Sequence, residues 1–237
     1  VWAPENTLEA FRKSLALGVD GIELDVQRCA SGEIVVIHDQ DVSRTTNGVG
    51  LVQDITLCEL KRLDAGSWFG PDFKGERIPT LKEVLDLIEG KVVLNIEVKN
   101  TPIEYPGIEE DLISLLEDYP NPHTLIVSSF DHSLIEKFNG VSREYDLAVL
   151  CDALLVGIGD YAHRLKAKYW HPCFDSVRDD AVNEAHRAGL KVNAWTVNAQ
   201  RDWLHAIKMN IDGIVTDDPE GLKAFLNQMS LVSDSVS

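Results

Sequence analysis

A short run of β-forming residues followed by a helical pattern recurs along this chain, and that alternation constrains its fold more than any other feature. The runs are "DGIELDVQ", "VVLNIEVK", "TLIVSSF", "DLAVLCD", "AKYWHPC", "VNAWTVN" and "DGIVTD". Around them lie "ENTLEAFRKSLALG", "LKEVLDLIEG", "IEEDLISLLEDY", "SLIEKFNG", "DDAVNEAHRAGL" and "RDWLHAIKM". Parallel strands cannot be joined by tight turns, so this rhythm predicts a parallel sheet with crossover helices. Gly18, Gly90, Gly140 and Gly189 fall where helix C-caps are expected. Seven such strands, closed by the helix "EGLKAFLNQM", predict an α/β fold of the (β/α)8 or TIM-barrel class. Its first strand is expected upstream of Val1, because the chain opens on what reads as the first helix. An open doubly wound sheet is the alternative, disfavoured because no glycine-rich phosphate loop follows any strand.

One segment departs from the rhythm. After "IELDVQ", the stretch "RCASGEIVVIHDQ" reads as a hairpin turning at Ser31-Gly32. Residues 43–80 then carry glycines, aromatics and two prolines. They read as a small insertion after the barrel's second strand, a cap at its mouth, within a single domain spanning 1–237.

Charge patterning narrows the chemistry. The chain holds 39 Asp+Glu against 22 Lys+Arg, a net −17. Nucleic acid and anionic lipid are bound through clustered positive charge, so neither is expected as a partner. No apolar run approaches the roughly 20 residues of a membrane span. Cys29, Cys58, Cys151 and Cys173 are far apart and form no C-x-x-C pair, which argues against a zinc knuckle.

Within "GIELDVQ", alternation puts Glu23 and Asp25 on one strand face and Ile22, Leu24 and Val26 on the other. The apolar set suits a helix layer, so the carboxylates point into the barrel. "VVLNIEVKN" repeats the pattern, with Asn95, Glu97 and Lys99 on one face. Buried like charges repel and lose hydration, so at least one should take up a proton unless a cation holds them ionised. Three carboxylates form a hard-oxygen donor set suited to Ca²⁺ or Mg²⁺. The competing reading is an internal Glu97–Lys99 salt bridge beside a neutral Glu23.

His38 ends the hairpin strand, where an imidazole near a metal is a natural proton carrier. His171, ending a later strand, is a second candidate. His123, His132, His163, His186 and His205 read as surface residues on loops and helices. Trp195 in "NAWTVN" points inward with Asn193 and Val197, either as core or as a wall against a substrate's carbon chain.

Taken together, "APENTLEAF", "GVDGIELDVQ", "VVIHDQDVSRTTNGVG", "LDAGSWF", "FKGERIPTLKEVL", "NIEVK", "SSF", "AGLKVNAWTVN" and "DGIVTDDP" resemble the glycerophosphodiester phosphodiesterase family over nearly the whole chain. The resemblance implies hydrolysis of glycerophosphodiesters to sn-glycerol 3-phosphate and an alcohol. It implies Glu23, Asp25 and Glu97 as ligands of one divalent cation, Ca²⁺ or Mg²⁺, with Lys99 near the phosphate and Trp195 lining the substrate pocket. It implies that His38 is one of two catalytic histidines. The other, from an "H-R-G" motif, is expected upstream of Val1. It further implies attack by the neighbouring 2-hydroxyl, giving a cyclic phosphate that water opens.

Two rival functions follow from the same residues. One is a lysophospholipase D-type phosphodiesterase, disfavoured if the insertion narrows the mouth. The other is a barrel that binds phosphodiesters without cleaving them. A cytoplasmic location is expected from cysteines with no evident pairing and no visible leader, with a periplasmic or secreted one if a signal precedes Val1.

Overall fold

The computed structural model describes residues 2–138 and 144–234, and the chain forms two compact units, Ala3–Val149 and the residues from Leu150 onward. The first unit carries α1 (Leu8–Leu17), β1 (Gly21–Arg28), β2 (Ile34–Val36), α2 (Leu57–Leu60), α3 (Leu81–Ile88), β3 (Val93–Val98), α4 (Ile108–Leu116), β4 (Leu125–Ser129) and α5 (His132–Lys137). Strand β5 (Asp146–Cys151) runs across the boundary. Here β1, β3, β4 and β5 lie side by side and parallel, while β2 folds back antiparallel on the outer edge of β1. The hairpin and every strand predicted for this unit are present.

Local chemistry explains the helix boundaries. Thr7 accepts a hydrogen bond from the Ala10 N–H at the start of α1, and Gly18 closes that helix at φ 73°. "TLCE" and "TLKE" each form a capping box, Thr56 with Glu59 and Thr80 with Glu83. At the end of α3 the left-handed cap is Glu89, one residue before the predicted Gly90. Gly140 lies outside the described residues.

Residues 43–80 do not simply drape over the sheet. Val42, Val52, Leu60, Ala65 and Ile78 bury themselves with Cys29, Val35 and Ile37 of the hairpin, a small core of their own. Asp64 staples the loop that follows: its carboxylate accepts from the Ser67, Gly66 and Gly75 N–H groups at 2.8, 2.9 and 3.0 Å. Those donors, Ser67 first, hold its carboxyl far below the usual carboxylate range. A Cβ on Gly66 would sit 1.8 Å from the Phe73 carbonyl oxygen, so "LDAGSWF" requires a glycine there.

The second unit holds α6 (Ile158–Arg164), β6 (Tyr169–Pro172), α7 (Asp179–Arg187), β7 (Lys191–Ala194), α8 (Gln200–Lys208), β8 (Gly213–Ile214) and α9 (Pro219–Asp234). Its strands β6, β7 and β8 are parallel neighbours. In α6, Gly159 lies so close to α7 that a Cβ would stand 2.6 Å from that of Ala188. Strand β7 stops at Ala194, so alternation does not carry to Val197. That side chain instead joins Ala194 and Trp203 in an apolar cluster with Phe225, which corrects its predicted inward placement. Among the described residues, no helix is long and apolar enough to cross a membrane.

His171 is fully enclosed in this unit, and burial pushes its imidazole down to about 3. Asn193 Nδ2 lies 3.1 Å from its Nε2, a contact that needs an unprotonated Nε2 to accept. The unfolded chain binds a proton near pH 6.5 while the folded chain refuses it until about pH 3. The contribution of a neutral His171 to stability is therefore complete above pH 6.5 and falls by about 1.4 kcal/mol for each pH unit below it. Urea unfolding of wild type and His171→Gln between pH 6 and pH 4 should show that slope flattened in the variant.

Candidate active site

The site grows out of the pairing of β1 with β3. Ile22, Leu24 and Val26 are buried on one face of β1, which turns Glu23, Asp25 and Gln27 to the other. Parallel register then sets Asp25 opposite Glu97 and Glu23 opposite Asn95. Carboxylate oxygens of Glu23, Asp25 and Glu97 come within 4.8 Å of one another, as their sequence pattern predicted.

Lys99, one residue past the end of β3, is the cation beside them. Its Nζ lies 3.0 Å from Asp25 Oδ1 and also contacts Glu97 Oε1. The Glu97–Lys99 bridge of the competing reading thus forms, but the same ammonium serves two carboxylates. Burial, and then the charge of Asp25, raise the Glu97 carboxyl above the ordinary range, with Lys99 only partly offsetting them. Burial would lower the Lys99 ammonium, yet Asp25 and Glu97 together raise it. Asn6, at φ 55° in "APENT", grips Asp25 twice: its Nδ2 donates to Oδ2 at 2.9 Å, and its Oδ1 accepts from the Asp25 N–H at 3.3 Å.

Three carboxylates and one ammonium leave a formal charge of −2 in a largely buried spot. The donors are all oxygens, with no thiol or imidazole in the cluster. A divalent hard cation fits both the charge and the donor set, and Glu23, Asp25 and Glu97 are the residues that would hold it.

His38 lies two residues past β2, half-exposed, and shares a cleft of about 120 Å³ with Asp39, Gln40, Glu97, Lys99 and Phe130. Its Nδ1 stands 2.6 Å from Asp39 Oδ1. Arg44 clasps Asp39 from behind, Nε to Oδ2 at 2.5 Å, and reaches Glu5 Oε1 at 2.7 Å. The Arg44 guanidinium, with His38 contributing, holds the Asp39 carboxyl down at about 2, so Asp39 is a fixed anion that keeps a proton on Nδ1. That leaves His38 Nε2 as the ring nitrogen open to proton exchange. The insertion thus enters the site through Arg44.

The structure brings Glu23, Asp25, Glu97, Lys99 and His38, all singled out from sequence, together in the first unit. Sequence reading missed Asn6, Asp39, Arg44 and Glu5. His171 and Trp195 belong to the second unit. There Trp195 is half-buried and its Nε1 donates to the His171 carbonyl oxygen at 3.0 Å. His171 is a buried core histidine, consistent with a structural role. Among the predicted surface histidines, His123, His163 and His205 are exposed and His132 and His186 half-buried.

The model of the glycerophosphoryl diester phosphodiesterase family matches residues 2–221. A glycerophosphodiester phosphodiesterase of Caldanaerobacter subterraneus is 44% identical over 220 residues, covering 92% of this chain and 90% of the relative. One from Bacillus altitudinis is 38% identical, with 92% and 90% covered. Among solved structures, an Oleispira antarctica phosphodiesterase in complex with the product sn-glycerol-3-phosphate aligns with TM-score 0.87 at 29% identity, over 95% of this chain and 92% of that one. A Thermotoga maritima glycerophosphodiester phosphodiesterase gives TM-score 0.74 at 27% identity, over 94% and 92%. These likenesses bear out the α/β barrel class read from the strand–helix rhythm.

Proposed function

The chain belongs to the glycerophosphoryl diester phosphodiesterase family, and from that premise we propose that it hydrolyses glycerophosphodiesters to sn-glycerol 3-phosphate and an alcohol with a divalent cation and histidine acid–base catalysis. The observation that carries the reading is the meeting of Glu97, Lys99 and His38 on one cleft beside the carboxylate cluster.

Electrostatics make the case for the cation. A phosphodiester is an anion, and a pocket with formal charge −2 repels it. A divalent ion on Glu23, Asp25 and Glu97 would cancel that −2, so that the phosphate meets a bound cation and the Lys99 ammonium rather than a net anion. When bound, such an ion supplies Lewis-acid stabilisation of charge building on the phosphate oxygens. Lys99 keeps a further N–H for the phosphate after serving Asp25 and Glu97. His38, held by Asp39, moves a proton at Nε2. A second catalytic histidine and a substrate-binding role for Trp195 are carried by the family resemblance alone.

The test is product identity with the natural full-length protein. Glycerophosphocholine should release glycerol 3-phosphate and choline. Lysophosphatidate from lysophosphatidylcholine, with no action on the soluble diester, would move the assignment to a lysophospholipase D. Tight substrate binding with no turnover would make the protein a phosphodiester binder.

A further inference from the structure

His38 is half-exposed and sits in a segment that has left the sheet, so something must fix its direction. Backbone pairing brackets the histidine without holding it: the Ile37 N–H donates to the Asp25 carbonyl and the Gln40 carbonyl accepts from the Val52 N–H, while His38 to Gln40 carry no strand structure. Gln27, fully buried on the same β1 face as Glu23 and Asp25, supplies the missing restraint. Its Nε2 donates to three successive carbonyl oxygens, Ile37 at 3.1 Å, His38 at 3.1 Å and Asp39 at 2.7 Å. Carbonyls only accept, so the NH₂ end of the amide must face them. The other end is fixed too, because the Tyr105 hydroxyl donates to Gln27 Oε1 at 2.9 Å in a buried contact. Tyr105 is in turn tied to the end of β3, its N–H donating to Asn100 Oδ1 at 2.8 Å.

We infer that Gln27 is a positioning residue for His38: by gathering the carbonyls of 37–39 around one buried amide, it sets the course of the backbone that aims the imidazole into the cleft. Three consecutive carbonyls converging on one nitrogen leave that stretch little freedom to rotate. Gln27 itself lines no part of the cleft and touches neither the carboxylate cluster nor Lys99 among the described contacts. Its effect on turnover runs through His38 and therefore rests on the reading that His38 moves the proton.

Gln27→Leu keeps bulk and removes both the donors and the acceptor. It should lower kcat by about 100-fold, the scale of an ångström-level misplacement of a catalytic group. KM and the midpoint for Mg²⁺ activation should stay within about threefold, because the cation and phosphate contacts are untouched. Tyr105→Phe frees the amide's far end and should cost about fivefold in kcat, one buried hydrogen bond's worth. If Gln27→Leu does not fold, Tyr105→Phe carries the same test.

The deciding experiment is a double-mutant cycle in the full-length protein with His38→Ala, read as glycerol 3-phosphate release, beside the ring ¹⁵N–¹H NMR signals of His38. The inference predicts that Gln27→Leu adds no further loss once His38 is gone, and that the His38 ring signals move or broaden in the Gln27 variant. An equal loss in both backgrounds, or unchanged ring signals, overturns it. A His38→Ala enzyme of normal rate would overturn the underlying catalytic reading instead, so the two failures are distinct. Where the His38→Ala rate falls below detection, the ring signals decide.

Discussion

Glu97→Gln should weaken divalent-cation binding by at least about 100-fold and silence turnover, while making the cation-free protein more stable. The first half follows from removing one of three carboxylates whose oxygens lie within 4.8 Å of one another. The second follows from the raised Glu97 carboxyl. Burial first, then Asp25, make its ionisation harder in the folded chain than in the unfolded one. Between the unfolded carboxyl's range and that raised value, the folded protein holds a proton the unfolded one has lost. Stability therefore falls as pH rises through this window, so the ionised form of Glu97 is a charge the cation-free fold carries at a cost. Glutamine removes that charge, and Lys99 keeps Asp25 at 3.0 Å, so no ammonium is stranded. Thermal melts with EDTA should show a higher Tm for the variant, and melts with Ca²⁺ or Mg²⁺ should show the wild type alone rising. A variant that is less stable without cation would contradict the charge argument.

His38→Ala should have the opposite profile. Proton transfer by a positioned side chain contributes about 10² to 10⁴ in rate, and kcat should fall by that order. Cation binding should persist, because His38 is not one of the three clustered carboxylates. The fold should persist as well. The side chain is half-exposed, and Asp39 keeps Arg44 as its counter-charge at 2.5 Å when the imidazole is removed. Calorimetric titration of Mg²⁺ or Ca²⁺ into the variant, beside its rate, separates the two roles. Loss of cation affinity in step with rate would move His38 into the cation's surroundings and out of proton transfer.

The strands, and the inward carboxylates they carry, were legible because each strand is written in a single short stretch. "GIELDVQ" and "VVLNIEV" alternate strictly, so period two alone places Glu23, Asp25 and Glu97 on shared faces. Helix α6 was not legible. Its "GIGDYAHR" carries two glycines, which weaken a helical reading, and the reason for Gly159 is the closeness of Ala188, the residue that caps α7. Helix α2 was hidden inside a glycine-rich insertion, although Thr56 and Glu59 sit at capping-box spacing.

The supports of the site were harder still, since they join residues far apart in the chain. Arg44 meets Glu5 across 39 positions, and Tyr105 meets Gln27 across 78. No periodicity links such pairs. Gln27 completes the face of Glu23 and Asp25, a signal that could have marked it as inward, but only the path of residues 37–39 shows what it grips. His171 looked like a site residue because it ends a barrel strand, and its complete burial explains it as core.

The central claim is that the cluster of Glu23, Asp25 and Glu97 works only with a divalent cation in place. Its most direct test is the rate of glycerol 3-phosphate release from glycerophosphocholine by the full-length protein, stripped with EDTA and then titrated with Ca²⁺ or Mg²⁺. The account predicts no turnover in the stripped protein and a saturable return of rate with one of the ions. Undiminished turnover after exhaustive chelation would contradict it and leave the Lys99 ammonium to meet the phosphate without a bound cation.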